Sequence, residues 1–270
     1  MIARAILPLV AAAAWTLGAC SSPDNRPAAF PEGTLVDLSH VYDDTTIFWP
    51  TSDRFRLEKT FDGITPEGFY YASNNFFTAE HGGTHLDAPL HFARGAQPVD
   101  QIPLDRFLGA AIVIDASAQS ERNPDYQVSV DDLMAAEREQ GAIPADGIVL
   151  IRTGFSRRWP DASRYLGTAE RGANAVRDLH FPGLHPDAAR WLIANRPVRA
   201  IGIDTASIDY GQSTLYETHR ALFERNIPAF ENLTALERLP LRGATIVALP
   251  MKIGGGSGAP LRAVAIVPPP

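Results

Sequence analysis

The stretch Glu80-His-Gly-Gly-Thr-His-Leu-Asp-Ala-Pro-Leu-His-Phe92 decides how the rest of the chain is read. Within eleven positions it sets His81, His85, Asp87 and His91, three of the chain's seven histidines among them. All four carry odd numbers, so an extended segment turns them to one face. His81 and His85 would also share a face on a helix. Gly82, Gly83 and Pro89 weigh against a helix, because glycine costs helical stability and proline breaks the hydrogen-bond ladder. The expectation is a strand or extended loop whose small residues let a metal ion approach the backbone. Neutral imidazoles with one carboxylate, spaced four and two apart, suit a divalent ion such as zinc or manganese. Three protein ligands leave a coordination position for water, the arrangement of catalytic rather than structural sites. The competing reading is a polar strand edge whose histidines only hydrogen-bond.

Outward from this stretch, the chain reads as strands with a few helices between them. Thr34–Ser39 alternates as a first strand, and Phe69–Phe77 is a strand running into the histidine motif. Ile47-Phe48-Trp49-Pro50 places an aromatic pair at a turn. Ala110–Asp115 and Gly147–Thr153 are continuous apolar runs of the buried-strand type. Val198–Asp204, Ile227–Glu231, Ala244–Leu249 and Leu261–Val267 complete the strands. Ser129-Val-Asp-Asp132 opens a helix with a capping-box pattern, and Pro186 fits the first position of another. Thr214-Leu-Tyr-Glu217 reads as a second capping box, starting a helix through about Arg225 that sets His219 on one face with Leu215 and Leu222. The fold class expected is α/β, a single mixed domain over residues 34–270.

The first residues read as an export signal. Arg4 precedes an almost uninterrupted apolar run, Ala5 to Leu17, shorter than the roughly 20 residues that cross a bilayer. Leu17-Gly18-Ala19-Cys20 resembles the lipobox of bacterial lipoprotein precursors. That resemblance implies a signal peptide over residues 1–19 and lipidation of Cys20, with residues 20–33 as a flexible tether. The alternative is an ordinary signal peptide with an incidental cysteine. Cys20 is the chain's only cysteine, so a disulfide within the chain is excluded. The expected address is the outer membrane facing the periplasm, with membrane contact through the lipid alone. The net charge of −7 and the lack of a basic run argue against nucleic acid as a partner.

His81-Gly-Gly-Thr-His-Leu-Asp-Ala-Pro-Leu-His91 is similar to the signature of the metal-dependent cyclase family, which includes bacterial kynurenine formamidases and isatin hydrolases. Gly202–Asp209, Pro228–Leu233 and Gly255–Ala265 resemble later blocks of that family, so the likeness spans the chain from about residue 34. The resemblance implies a swivelling β/β/α fold and places His81, His85 and Asp87 on metal-ligand positions, with Asp87 able to bridge two ions. It places His219 and Glu231 on the ligands that complete a two-metal site, His91 on the catalytic acid/base, and Trp49 beside a substrate-lining aromatic. Phe48, Tyr70 and Tyr71 would suit a flat ring as well, and Lys252 or Arg262 would lie near the substrate. Glu231 leans toward the two-metal formamidases, because isatin hydrolases carry glutamine there. Family members are commonly dimers or tetramers, so a homodimer or homotetramer is expected.

The function that follows is hydrolysis of a small amide or cyclic amide, an aryl formamide or an isatin-like lactam. Water activated by Zn²⁺ or Mn²⁺ is the nucleophile, and His91 protonates the leaving nitrogen. The reading from another class is a non-catalytic lipoprotein that binds a metal or small ligand. A metallopeptidase is disfavoured by the absence of a His-Glu-x-x-His motif.

Overall fold

The computed structural model describes residues 31–269. Twelve strands and five α-helices follow in order. They begin with β1 (Thr34–Asp37), β2 (Arg56–Ile64), β3 (Tyr70–Phe77), β4 (His85–Asp87) and β5 (Leu108–Asp115). Next come α1 (Ser117–Arg122), β6 (Gln127–Val128), α2 (Val130–Gln140), β7 (Ile148–Arg152), α3 (Ala162–Leu166), β8 (Gly183–Leu184) and α4 (Pro186–Asn195). The chain closes with β9 (Ala200–Ile203), α5 (Glu217–Phe223), β10 (Ala229–Glu231), β11 (Arg242–Pro250) and β12 (Gly258–Val267).

The main sheet runs β1-β12-β11-β5-β7-β9-β10-β4, and β4 pairs again with β12. Seven strands therefore close into a barrel-like ring, with β1 added beside β12. The apolar runs show why. On β5, Ala111 and Val113 point into a core inside the ring, while Ile112 and Ile114 point to a second core outside it. On β7, Ile148 and Leu150 face inward and Val149 and Ile151 face outward. Both faces are covered, so neither strand alternates with polar residues. The outer core is roofed by α2, α4 and α5 through Leu133, Ala188, Leu192, Leu222 and Phe223. Each fully buried Leu, Ile or Phe contributes about 1.5–3 kcal/mol before the entropy of ordering is subtracted.

The domain is α/β, as the sequence indicates. The Ser129–Asp132 capping box forms, with Ser129 Oγ accepting from Asp132 N and the Asp132 carboxylate accepting from Ser129 N. Pro186 opens α4 at its first turn. The Thr214–Glu217 box does not form. Tyr216 takes the N-cap of α5 in the left-handed region (φ +48°), and no side chain caps the helix. Leu215 lies before the helix and is exposed, so His219 shares its buried face with Leu222 alone of the two. Strand β2 is missing from the sequence reading. It pairs with β3 as a separate two-stranded arm with mostly exposed residues, so no core imposes a pattern on it. Residues 1–30, including the export signal and Cys20, lie outside the described residues. Among those described, no helix is long and apolar enough to cross a membrane.

Candidate active site

The site forms where β4 closes the ring. Antiparallel pairing sets His85 opposite Glu231 and Asp87 opposite Ala229 on β10, and sets Gly258 of β12 opposite Asp87 on the other edge. The two-residue period sends His85 and Asp87 to one face and Leu86 into the inner core. The odd-number rule holds only for this short strand. His91 is carried on a single 3-10 turn, Pro89–His91. His81 reaches the site across Gly82 and Gly83. At Gly83, φ is +56° and an added Cβ would stand 2.5 Å from the Tyr42 ring, so glycine is required twice over. The Tyr42 hydroxyl donates to the carbonyls of Gly82 and Thr84, which fixes this corner.

Five side chains converge here: His81, His85 and Asp87 in one group, and Asp87, His219 and Glu231 in another. Asp87 is shared and its two oxygens divide the work. Oδ1 faces His81 Nδ1 at 2.7 Å and His85 Nε2 at 3.0 Å. Oδ2 faces His219 Nε2 at 3.1 Å. Glu231 completes the circle, with Oε1 3.2 Å from His219 Nε2 and Oε2 3.6 Å from His85 Nε2.

The outer nitrogens test whether a cation belongs between these groups. His85 Nδ1 lies 3.0 Å from the Gly83 carbonyl, which accepts only, so the ring carries its proton there. His219 Nδ1 lies 2.6 Å from the Asp209 carboxylate, which likewise accepts only. Each ring therefore turns a bare nitrogen lone pair toward buried carboxylate oxygens. Acceptors facing acceptors in a dry site require positive charge between them. Burial alone would lower the pKa of His85 and His219, but neighbouring carboxylates outweigh it and hold both up, His219 well above the ordinary value. Burial also raises Asp87, yet the surrounding imidazoles, His81 foremost, hold it well below the usual range. Glu231 is pushed up by burial and by the Asp87 charge. A divalent ion answers the same demand as those protons, so the donor set fits a metal of the kind zinc or manganese represents.

His91 stands apart from this cage. Its Nε2 is 3.9 Å from Asp87 Oδ2, its ring stacks on His81 at 3.8 Å between centroids, and its side chain is 30% exposed at the mouth. Burial lowers its pKa to about 4 against the pull of Asp87, so it rests neutral. The cavity beside it measures about 300 Å³. Phe48, Trp49, Phe92 and Tyr216 supply aromatic walls, and Ser207 and Asn232 add polar groups. Trp49 and Phe48, both named from sequence, line this cavity. Tyr70 and Tyr71 do not; they are exposed on the β2–β3 arm and line no part of this cavity. Arg262 is held by Asp37 on the surface, and neither it nor exposed Lys252 lines the cavity. The sequence reading missed Phe92 and Tyr216. Tyr216 was absorbed in the false capping box, and its positive φ, uncommon for a bulky residue, was the signal unavailable from sequence.

The Cyclase family, described as "Putative cyclase", matches residues 36–210. An isatin hydrolase of Roseibium aggregatum is 32% identical over 248 residues, 84% of this chain and 92% of that protein. A kynurenine formamidase of Salinibacter ruber is 30% identical over 235 residues, 85% of this chain and 96% of that protein. Among solved structures, isatin hydrolase A from Ralstonia solanacearum superposes with a TM-score of 0.77 at 37% identity, covering 87% of this chain and 92% of that one. An isatin hydrolase bound to the product analogue thioisatinate gives 0.78 at 29% identity, covering 88% and 94%. With these relatives and a donor set that calls for a cation, the chain belongs to the Cyclase family and is a metal-dependent amidohydrolase of that family.

Proposed function

We propose that the substrate is a small aryl amide or cyclic amide, of the aryl-formamide or isatin-like lactam kind, uncharged where it enters the cavity. The observation that carries this reading is the pairing of the five-residue cage with an aromatic-walled cavity that, among the described residues, is lined by no lysine or arginine. Apart from the cage, a substrate bearing a free carboxylate would meet no cationic side chain among those lining residues, whereas a flat neutral ring suits Phe48, Trp49, Phe92 and Tyr216.

When bound, a divalent cation supplies Lewis acidity toward the carbonyl oxygen and brings the pKa of water toward about 7. The chain's residues do the rest. His81, His85, Asp87, His219 and Glu231 would hold the metal, and the division of Asp87 between two groups supports a reading with two ions, Zn²⁺ or Mn²⁺. The aromatic walls hold the ring and keep bulk water away. Neutral His91 takes a proton from the attacking water and gives it to the amide nitrogen as the C–N bond breaks, leaving an amine and a carboxylic acid that then releases its own proton to solvent. This sharpens the role given to His91 by sequence, because a ring resting neutral must act as base before it acts as acid. A purely metal-binding role, the alternative reading, leaves His91 without a task.

The test is a substrate panel with and without chelator: isatin, neutral aryl formamides, lactams, lactones and N-formylkynurenine. Chelator-sensitive turnover of neutral ring substrates in preference to the charged one is the expected result. No chelator-sensitive hydrolysis of any of them sinks the proposal.

The β2–β3 arm exposes Leu57, Ile64, Tyr70 and Phe76, which supports a homodimer or homotetramer assembled through that arm. Arg4, the Ala5–Leu17 run and the lipobox-like Leu17–Cys20 support export and a lipid anchor on Cys20.

A further inference from the structure

The glycine-rich turn between β11 and β12 reaches the cage at one point. Ser257 Oγ lies 2.6 Å from Glu80 Oε2 and 2.9 Å from His81 Nε2. The Glu80 carboxylate also accepts from Ser257 N at 3.0 Å. Its oxygens accept only, so the Ser257 hydroxyl proton goes to Glu80. Ser257 Oγ then has only lone pairs to offer His81, and the imidazole must carry its proton on Nε2. That leaves His81 Nδ1 bare, 2.7 Å from Asp87 Oδ1, the geometry His85 and His219 reach through the Gly83 carbonyl and Asp209.

The surrounding glycines make room for this contact. A Cβ on Gly256 would stand 2.8 Å from Glu80 Oε1, and one on Gly258 would stand 2.5 Å from His81 Cε1. The turn is also tied down, with Ala88 N donating to the Ser257 carbonyl, Val99 N to that of Gly256, and Gly255 N to Asp100 Oδ1.

We infer that Glu80 and Ser257 form a positioning pair that selects the tautomer of His81 and aims its Nδ1 at the cation site, so that the glycine-rich turn sets metal affinity. His81 needs such help more than its partners do. Its side chain is 22% exposed, against 3% for His85 and His219, so packing constrains it least. Partners of this kind are worth about 10–100-fold in metal affinity. The inference rests on the reading of His81 as a ligand, and the experiment separates the two.

Zinc affinity is measured by competition with a chromophoric chelator for wild type, His81→Ala, Ser257→Ala, Ser257→Thr and Glu80→Ala, with the apo melting temperature of each as a folding check. Nitrogen-15 shifts of the histidine rings report the tautomer in the zinc-loaded wild type. The expected result is zinc affinity reduced 10–100-fold in Ser257→Ala, restored by Ser257→Thr, and reduced in Glu80→Ala, where the freed hydroxyl donates to His81. His81 in the wild type should be protonated on Nε2 and bound through Nδ1. If His81→Ala binds zinc as wild type does, the ligand reading itself fails. If His81→Ala loses affinity but Ser257→Ala does not, or if the ring binds through Nε2, the positioning pair is overturned. A variant whose apo protein melts well below wild type is replaced by the ring-nitrogen measurement, which needs only wild type.

Discussion

His91 is separated from the cage by 3.9 Å and by its low pKa, while its ring still stacks on His81. Replacing it with alanine should leave metal content unchanged and lower kcat by about 10²–10⁴-fold, the usual worth of a positioned acid–base group. Metal analysis beside steady-state kinetics checks both halves; a variant with wild-type turnover removes His91 from the chemistry. Asp209 makes a different kind of residue-scale claim. It accepts from His219 Nδ1 at 2.6 Å and from the His219 backbone N–H, touching neither the cavity nor the other cage residues' inner atoms. Burial works to raise its pKa, but the hydrogen bond from His219 wins and keeps it ionised. Asp209→Asn should cost roughly 10–100-fold in metal affinity, read by chelator competition.

At the scale of elements, the corner between the Tyr42 loop and β4 is tightly constrained. Gly83→Ala meets both a left-handed backbone and the Tyr42 ring, and should destabilise the domain by about 1–3 kcal/mol, visible as a lowered melting temperature. The same substitution at Gly254, where a Cβ meets nothing within 4 Å, is the matched control and should be nearly silent. The β2–β3 arm belongs to this scale too. Its apolar residues face solvent, and β2 and β3 form a two-stranded sheet that, among the described residues, no other strand joins. Tyr70→Ser combined with Phe76→Ser should shift the protein toward monomer in light-scattering chromatography; an unchanged mass argues that the arm is not the interface.

For the whole molecule, cation binding and pH are coupled. The folded chain raises the pKa of His85 and His219, so each contributes stability that is full below about 6.5 and fades as pH rises through its raised value. A metal must displace those protons, so its affinity grows with pH over the same interval. The melting-temperature gain from zinc should therefore be larger at pH 8 than at pH 6, with proton release detectable by calorimetry in buffers of different ionisation enthalpy. At free metal a hundred times Kd, the stabilisation amounts to about 2.7 kcal/mol. Equal gains at both pH values contradict protonated inner nitrogens.

What the sequence determined by itself was mostly local. The buried strands β5 and β7 were legible because covering both faces demands uninterrupted apolar runs, and the parity of His85 and Asp87 follows from a period of two. The likeness of the His81–His91 motif to a known family supplied His219 and Glu231, which spacing alone did not. Tertiary structure decided what depends on distant pairing. The register of β4 against β10 sets Glu231 opposite His85, across 146 positions that no local pattern spans. Closure of the ring by β12 brings Ser257 to the outer nitrogen of His81 and to the Glu80 carboxylate, a contact that no local pattern in the glycine-rich turn encodes. Strand β2 and the turn of Tyr216 into the cavity were illegible for the opposite reason: no buried face stamps a period on β2, and a left-handed tyrosine is held by its surroundings, not by its own preference.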